Sequence, residues 1–171
     1  MTPVLSIVTG TRNRRDSYMR FVRSVIRTAS VPTEVLVGDA SDDPYAPMLV
    51  PADLGNVVRF TPSVESPRLG HVKGYDRLFR MATGKWVCWF NDDCEMVDGW
   101  DKIAVDFMES QPDVGIGCIY FRDNTGHGLE SEYKVQSLFR IIYPNFGILS
   151  REFGNQLGWF DESLFLYGAD T

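Results

Sequence analysis

Trp86-Val87-Cys88-Trp89-Phe90 leads without a break into Asn91-Asp92-Asp93. Five apolar residues in a row read as a strand covered on both faces, the pattern of a central strand in a parallel sheet. Two carboxylates stand where that strand ends. Adjacent carboxylates repel, and each raises the pKa of the other unless a cation sits nearby. Hard oxygen ligands suit Mg²⁺ or Mn²⁺. Such an ion, bridging two phosphates, would neutralise a leaving nucleoside diphosphate. The competing reading is a solvated turn that also caps the next helix. The tripeptide alone favours the turn; its place after a fully apolar strand favours the metal.

Outward from this point the chain alternates between two periodicities. Val4-Leu5-Ser6-Ile7-Val8 is a short buried strand bounded by Thr9-Gly10-Thr11. Asp16 stands as an N-cap, and Tyr18, Phe21, Val22, Val25 and Ile26 then recur at helical spacing until Pro32. Glu34 to Asp39 is a second strand and Val57 to Phe60 a third. Val72, Tyr75, Leu78, Phe79 and Ala82 mark a second helix, with Gly84 as its C-terminal glycine. Trp100, Ile103, Ala104 and Phe107 mark a third. Val114 to Phe121 is a further strand, 122–132 an exposed loop, and Phe139 to Tyr143 and Phe146 to Leu149 are apolar again. Strands alternating with helices predict a mostly parallel sheet covered on both faces. Ligands in such sheets bind beyond the carboxyl ends of the strands. That rule directs attention to Thr9–Arg15, Asp39–Asp43 and Asn91–Glu95.

Bulk properties narrow the classes. The 171 residues carry a net charge of −6, with 44% apolar and 23% charged residues. These are values of a soluble globular domain, and the acidic balance argues against a nucleic-acid partner. No run approaches the roughly 18 apolar residues that span a bilayer. The apolar N-terminus lacks the basic start and small-residue cleavage site of a secretion signal. A cytoplasmic location is expected, with membrane association at most peripheral. Cys88, Cys94 and Cys118 are an odd set without paired zinc spacing, and free thiols are expected.

Two further clusters lie at the strand ends. Asp39, followed by Ala40-Ser41-Asp42-Asp43, either accepts an N–H from a nucleobase or closes an Asx-type turn; the residues alone leave both readings open. Thr9-Gly10-Thr11-Arg12-Asn13-Arg14-Arg15 gathers arginines suited to phosphate, just before a helix N-terminus. The competing reading is a solvated basic turn. No GxGxxG or P-loop pattern is present, which disfavours dinucleotide or ATP sites of those kinds.

Taken in order, Ser6-Ile7-Val8-Thr9-Gly10-Thr11-Arg12-Asn13-Arg14, Val37-Gly38-Asp39-Ala40-Ser41-Asp42-Asp43, and Ala82-Thr83-Gly84-Lys85-Trp86 leading to Phe90-Asn91-Asp92-Asp93 resemble glycosyltransferase family 2. Ser150-Arg151-Glu152 with Gly158-Trp159-Phe160-Asp161-Glu162 looks like the acceptor-side motif of that family, and Tyr167-Gly168-Ala169-Asp170 like its Glu-Asp motif. The resemblance spans essentially the whole chain. It implies a GT-A type, Rossmann-like three-layer α/β sandwich as a single domain over 1–171. It also implies an inverting transferase with a nucleotide-diphospho-sugar donor, a UDP-sugar favoured, and Mn²⁺ or Mg²⁺ as cofactor. The acceptor would be a glycan, lipid or small molecule.

Carried over by position, Thr11, Arg12, Asp39 and Asp92 bind the nucleotide, with Asp39 at the base. Asp93 with Asn91 holds the metal in a DXD-like motif. Trp159 and Asp161 face the acceptor, and Asp170 is the general base. Asn91 departs from the carboxylate usual at the first motif position, and Ala169 from the usual Glu. The sequence stops at Thr171, so a C-terminally truncated or unusually short member is expected. The alternative is a non-catalytic nucleotide-sugar-binding module. A nucleotidyltransferase would carry an early glycine-rich, lysine-containing signature, which is absent.

Overall fold

The computed structural model describes residues 1–122, 137–138, 141–142 and 145–160. A six-stranded sheet forms its middle layer. In chain order its strands are β1 (Leu5–Thr11), β2 (Thr33–Asp39), β3 (Val57–Val64), β4 (Trp86–Trp89), β5 (Ile116–Cys118) and β8 (Gly147–Ser150). Spatially the order is β3-β2-β1-β4-β8-β5. The pairs β1–β2, β1–β4 and β2–β3 are parallel, whereas β8 runs antiparallel to both β4 and β5. β6 (Ser137–Leu138) and β7 (Ile141–Ile142) form a separate two-stranded pair.

The alternation of side chains along each strand builds the three layers. Leu5 and Ile7 of β1, Val35 and Val37 of β2, and Cys88 of β4 face one side. There they meet Tyr18, Phe21, Val22 and Val25 from α1 (Arg15–Thr28) and Val105 and Met108 from α3 (Trp100–Ser110). Val8, Leu36 and Val87 face the other side and meet Tyr75, Leu78 and Phe79 of α2 (His71–Met81). The result is the α/β sandwich of GT-A type that the sequence predicts, with β4 in the interior of the sheet.

Several local expectations are corrected. Arg14, not Asp16, is the N-cap of α1, and Asp16 lies in the first turn. β3 runs on to Val64 through Pro62, as a sheet-edge strand can. A short helix, α4 (Arg151–Leu157), follows β8 and was not anticipated; the Ser150 hydroxyl caps it by accepting the Phe153 N–H at 3.0 Å.

Gly84 does not cap α2, which ends at Met81. It is glycine because the turn into β4 presses on β1. A Cβ there would lie 2.7 Å from Ser6 Oγ and 2.8 Å from Ser6 N. Gly84→Ala is therefore expected to cost about 1–3 kcal/mol of unfolding free energy, read from urea denaturation. Unchanged stability would remove the contact as the reason for glycine.

Candidate functional site

Three parallel strands end side by side, and their loops are tied by hydroxyl groups. Asp92 is fully buried, and its Oδ2 accepts a hydrogen bond from Thr11 Oγ1 at 2.6 Å. An ionised carboxylate only accepts, so the Thr11 hydroxyl must donate. Thr11 Oγ1 then accepts from Tyr45 Oη at 2.6 Å, and Tyr45 Oη in turn accepts the Arg14 N–H at 3.0 Å. This chain of bonds joins the loops after β1, β2 and β4. Asn13 reinforces it in a left-handed conformation (φ 54°), which asparagine tolerates. Its Nδ2 donates to Asp42 Oδ2 at 2.7 Å, and its Oδ1 accepts the Asp42 N–H at 3.0 Å.

Tyr75 does the same beneath the cleft. Its Oη accepts the Gly10 N–H and donates to the Phe90 carbonyl, both at 3.0 Å. Burial pushes its pKa up to about 12, so it stays a donor. Gly10 leaves the room this ring needs, because a Cβ there would lie 3.0 Å from it.

The two carboxylates that end β4 meet a cation from this chain. Arg14 Nη1 donates to Asp93 Oδ2 at 3.0 Å, and Nη2 lies against Asp92 Oδ1. Asp92 Oδ1 is buried and meets Arg14 as an ion pair without a directed hydrogen bond. Burial pushes the Asp92 carboxyl up; the Thr11 hydroxyl and the Arg14 guanidinium pull it back, and neighbouring Asp93 raises it. Among the described residues no three His, Cys, Asp or Glu side chains gather as a ready-made metal cluster. The oxygen donors of Asn91, Asp92 and Asp93 nevertheless fit a Mg²⁺- or Mn²⁺-type ion, which commonly takes one or two carboxylates and completes its shell with substrate phosphates.

A cleft of about 160 Å³ opens over these strand ends. Thr11, Arg12 and Arg14 line it from the first loop and Asn91 from the fourth. Glu65, Arg68 and His71 line it from the segment between β3 and α2. The structure thus brings Thr11, Arg12, Asn91, Asp92 and Asp93 to one place. Arg15 starts α1 and does not line the cleft.

Asp39 and Trp159 stand elsewhere. The Asp39 carboxylate is fully buried and turned back into its own loop. Oδ1 accepts from Ser41 N at 3.0 Å, and Oδ2 from Tyr45 N at 2.7 Å and Ala46 N at 2.8 Å. This is the turn-closing use of the residue. Trp159 lies outside the cleft lining. Its ring stacks on Phe79 at 5.2 Å between centroids, and Gly154 is glycine because a Cβ there would lie 2.3 Å from that ring. Asp76 of α2 fixes the segment by accepting the Phe160 N–H at 3.1 Å. Asp161 and Asp170 fall outside the described residues.

Glu65 was missed from the sequence. Burial pushes its carboxyl up, the Leu69 N–H and Arg77 lower it, and Asp39 raises it. Its signal was position: it directly follows β3, as Asn91 follows the apolar run of β4.

Fold and site together define an α/β domain of GT-A type with a polar cleft over its strand ends. The chain belongs to glycosyl transferase family 2, whose model matches residues 6–165. Among solved structures it is similar to residues 1–349 of TarS from S. aureus. The TM-score is 0.73 at 18% identity, over 94% of this chain and 51% of that one. The TarS complex with UDP gives 0.74 at 18% identity, over 97% and 52%. The mannosyltransferase PcManGT from Pyrobaculum calidifontis, in complex with GDP-Man and Mn²⁺, gives 0.71 at 17% identity, over 98% and 50%. The chain spans about half the length of these structures. No curated protein sequence matches it.

Proposed function

We propose that the chain forms the donor-binding part of an inverting glycosyltransferase that moves a sugar from a nucleotide-diphospho-sugar to an acceptor hydroxyl. The observation that carries this reading is the carboxylate pair Asp92–Asp93 at the end of β4, beside a cleft lined by Arg12, Arg14 and Arg68. Asp93 with Asn91 would hold Mn²⁺ or Mg²⁺, and the ion would supply charge neutralisation at the diphosphate. Arg12 and Arg68 suit phosphate or ribose oxygens as guanidinium donors.

In the reaction, the acceptor oxygen forms a bond to the anomeric carbon as the bond from that carbon to the phosphate oxygen breaks. The electron pair leaves with the nucleoside diphosphate. Asp170, by its place in the family order, takes the hydroxyl proton, and Asp161 belongs to the acceptor side. A uridine nucleotide is the first choice of donor, supported by TarS structures with UDP and UDP-GlcNAc; the PcManGT complex makes a guanosine nucleotide the second. A glycan, lipid or small-molecule acceptor in the cytoplasm is consistent with this, and the three free cysteines support a reducing compartment.

The test is thermal unfolding with a panel of nucleoside diphosphates, with and without Mn²⁺. A ligand that binds the folded state raises Tm by mass action. A rise for one or two nucleotides that needs Mn²⁺ is expected. No rise with any nucleotide would overturn the proposal.

A further inference from the structure

The end of the cleft farthest from the Asp92–Asp93 pair has a carboxylate of its own. Glu65 follows β3, and its N–H donates to the Asp39 carbonyl at 2.9 Å, which fixes its backbone against β2. Its side chain occupies a slot between β2 and α2. A Cβ on Gly38 would lie 2.8 Å from Glu65 Oε1, and one on Gly74 would lie 2.3 Å from the same atom. Any larger residue on either side would expel the carboxylate, so both glycines serve to admit it. The nearby Leu69 N–H and Arg77 favour the charged form of this carboxylate. It is a held group that lines the same cleft as Arg12 and Arg68, not a free surface side chain.

Strand order gives the distance that matters. From β4 the sheet runs through β1 and β2 to β3. Three steps of about 4.8 Å separate the two ends, roughly 14 Å. A diphosphate anchored at Asp92 and Asp93 therefore sends its nucleoside across β1 and β2 toward Glu65. Asp39, which lies on that line, is engaged by three N–H groups of its own loop.

We propose that Glu65 reads the nucleobase by accepting a ring N–H, and so selects uridine or guanosine diphospho-sugars over cytidine and adenosine ones. This inference rests on the nucleotide-sugar reading above. An ionised carboxylate can only accept. Uracil N3 and guanine N1 each carry a hydrogen. Cytosine N3 and adenine N1 carry lone pairs in the equivalent ring position, which would face the carboxylate oxygen without a proton between them. A site built around a buried polar partner rejects a ligand that leaves it unpaired more strongly than an apolar site rejects a change of size.

The experiment is calorimetric titration of UDP, GDP, CDP and ADP in the presence of Mn²⁺, on the unsubstituted protein, Glu65→Gln and Gly74→Ala. The unsubstituted protein is expected to bind UDP or GDP about 10- to 100-fold more tightly than CDP and ADP, and the UDP and GDP arms show which base is read. In Glu65→Gln that preference should fall by tenfold or more, because an amide can donate to cytosine N3. Gly74→Ala keeps the carboxylate but displaces it, and should lose the preference likewise. The gain in affinity from Mn²⁺ should be the same in all three. A folded Glu65→Gln protein with its preference intact overturns the inference and leaves the proposed function standing, as does equal binding of all four nucleotides. Failure of every nucleotide to bind overturns both.

Discussion

Asp93→Ala is expected to remove the Mn²⁺-dependent part of nucleotide binding, a loss on the order of a hundredfold or more. Even groups that merely support metal ligands are typically worth about 10- to 100-fold in affinity, and Asp93 would be a ligand itself. The substitution separates the site from the fold. Asp93 is half-exposed and bonds only Arg14 among the contacts described, so alanine leaves the sheet intact. Asp92, by contrast, is fully buried and holds the Thr11 hydroxyl. Replacing it would damage loop and site together and could not assign the metal. The measurement is nucleotide affinity with Mn²⁺ and with EDTA. An Asp93→Ala protein that still gains affinity from Mn²⁺, or an unsubstituted one that gains none, would sink the assignment.

The largest stability effect is expected at the other end of the sheet. Glu34 is a glutamate with no exposed surface in a strand otherwise apolar at its centre. Its Oε1 accepts from Ser6 Oγ at 2.5 Å, Thr83 N at 2.5 Å and Gly84 N at 3.0 Å, and Oε2 pairs with Arg59. It therefore binds β1, β3 and the turn into β4 to β2. Glu34→Ala leaves buried N–H and O–H groups without acceptors and is expected to cost about 3–5 kcal/mol. Glu34→Gln keeps one acceptor oxygen and should cost less. Urea unfolding measures both. A loss below about 1 kcal/mol for the alanine variant would show that water replaces the carboxylate at no cost, against the burial argument.

The layers were legible because they follow from alternation. Val8, Leu36 and Val87 on one face, against Ile7, Val35 and Cys88 on the other, need only a period of two and apolar side chains. The gathering of Thr11, Asn91, Asp92 and Asp93 was legible for a related reason: they sit next to apolar strands, and the ends of neighbouring parallel strands lie side by side. Glu65 was hidden by Pro62, which reads as the end of a strand unless that strand is known to lie at the sheet edge. Asp39 shows the opposite limit. An aspartate after a strand can face a ligand or its own loop, and only the positions of the Ser41, Tyr45 and Ala46 N–H groups decide. The direction of β8 was not legible either, since four apolar residues fit a strand running either way.

The run of bonds from the Arg14 N–H through Tyr45 and Thr11 to Asp92 has a thermodynamic consequence. Ordering a loop residue costs about 1–2 kcal/mol in backbone entropy. A binder whose loops settle only on contact loses that amount from its affinity. Here three loops are already fastened to one another through buried hydroxyl groups, so folding itself has met that cost. Any ligand arriving at the strand ends meets a pre-organised surface, and its affinity would reflect its own contacts with little deduction for arranging the protein.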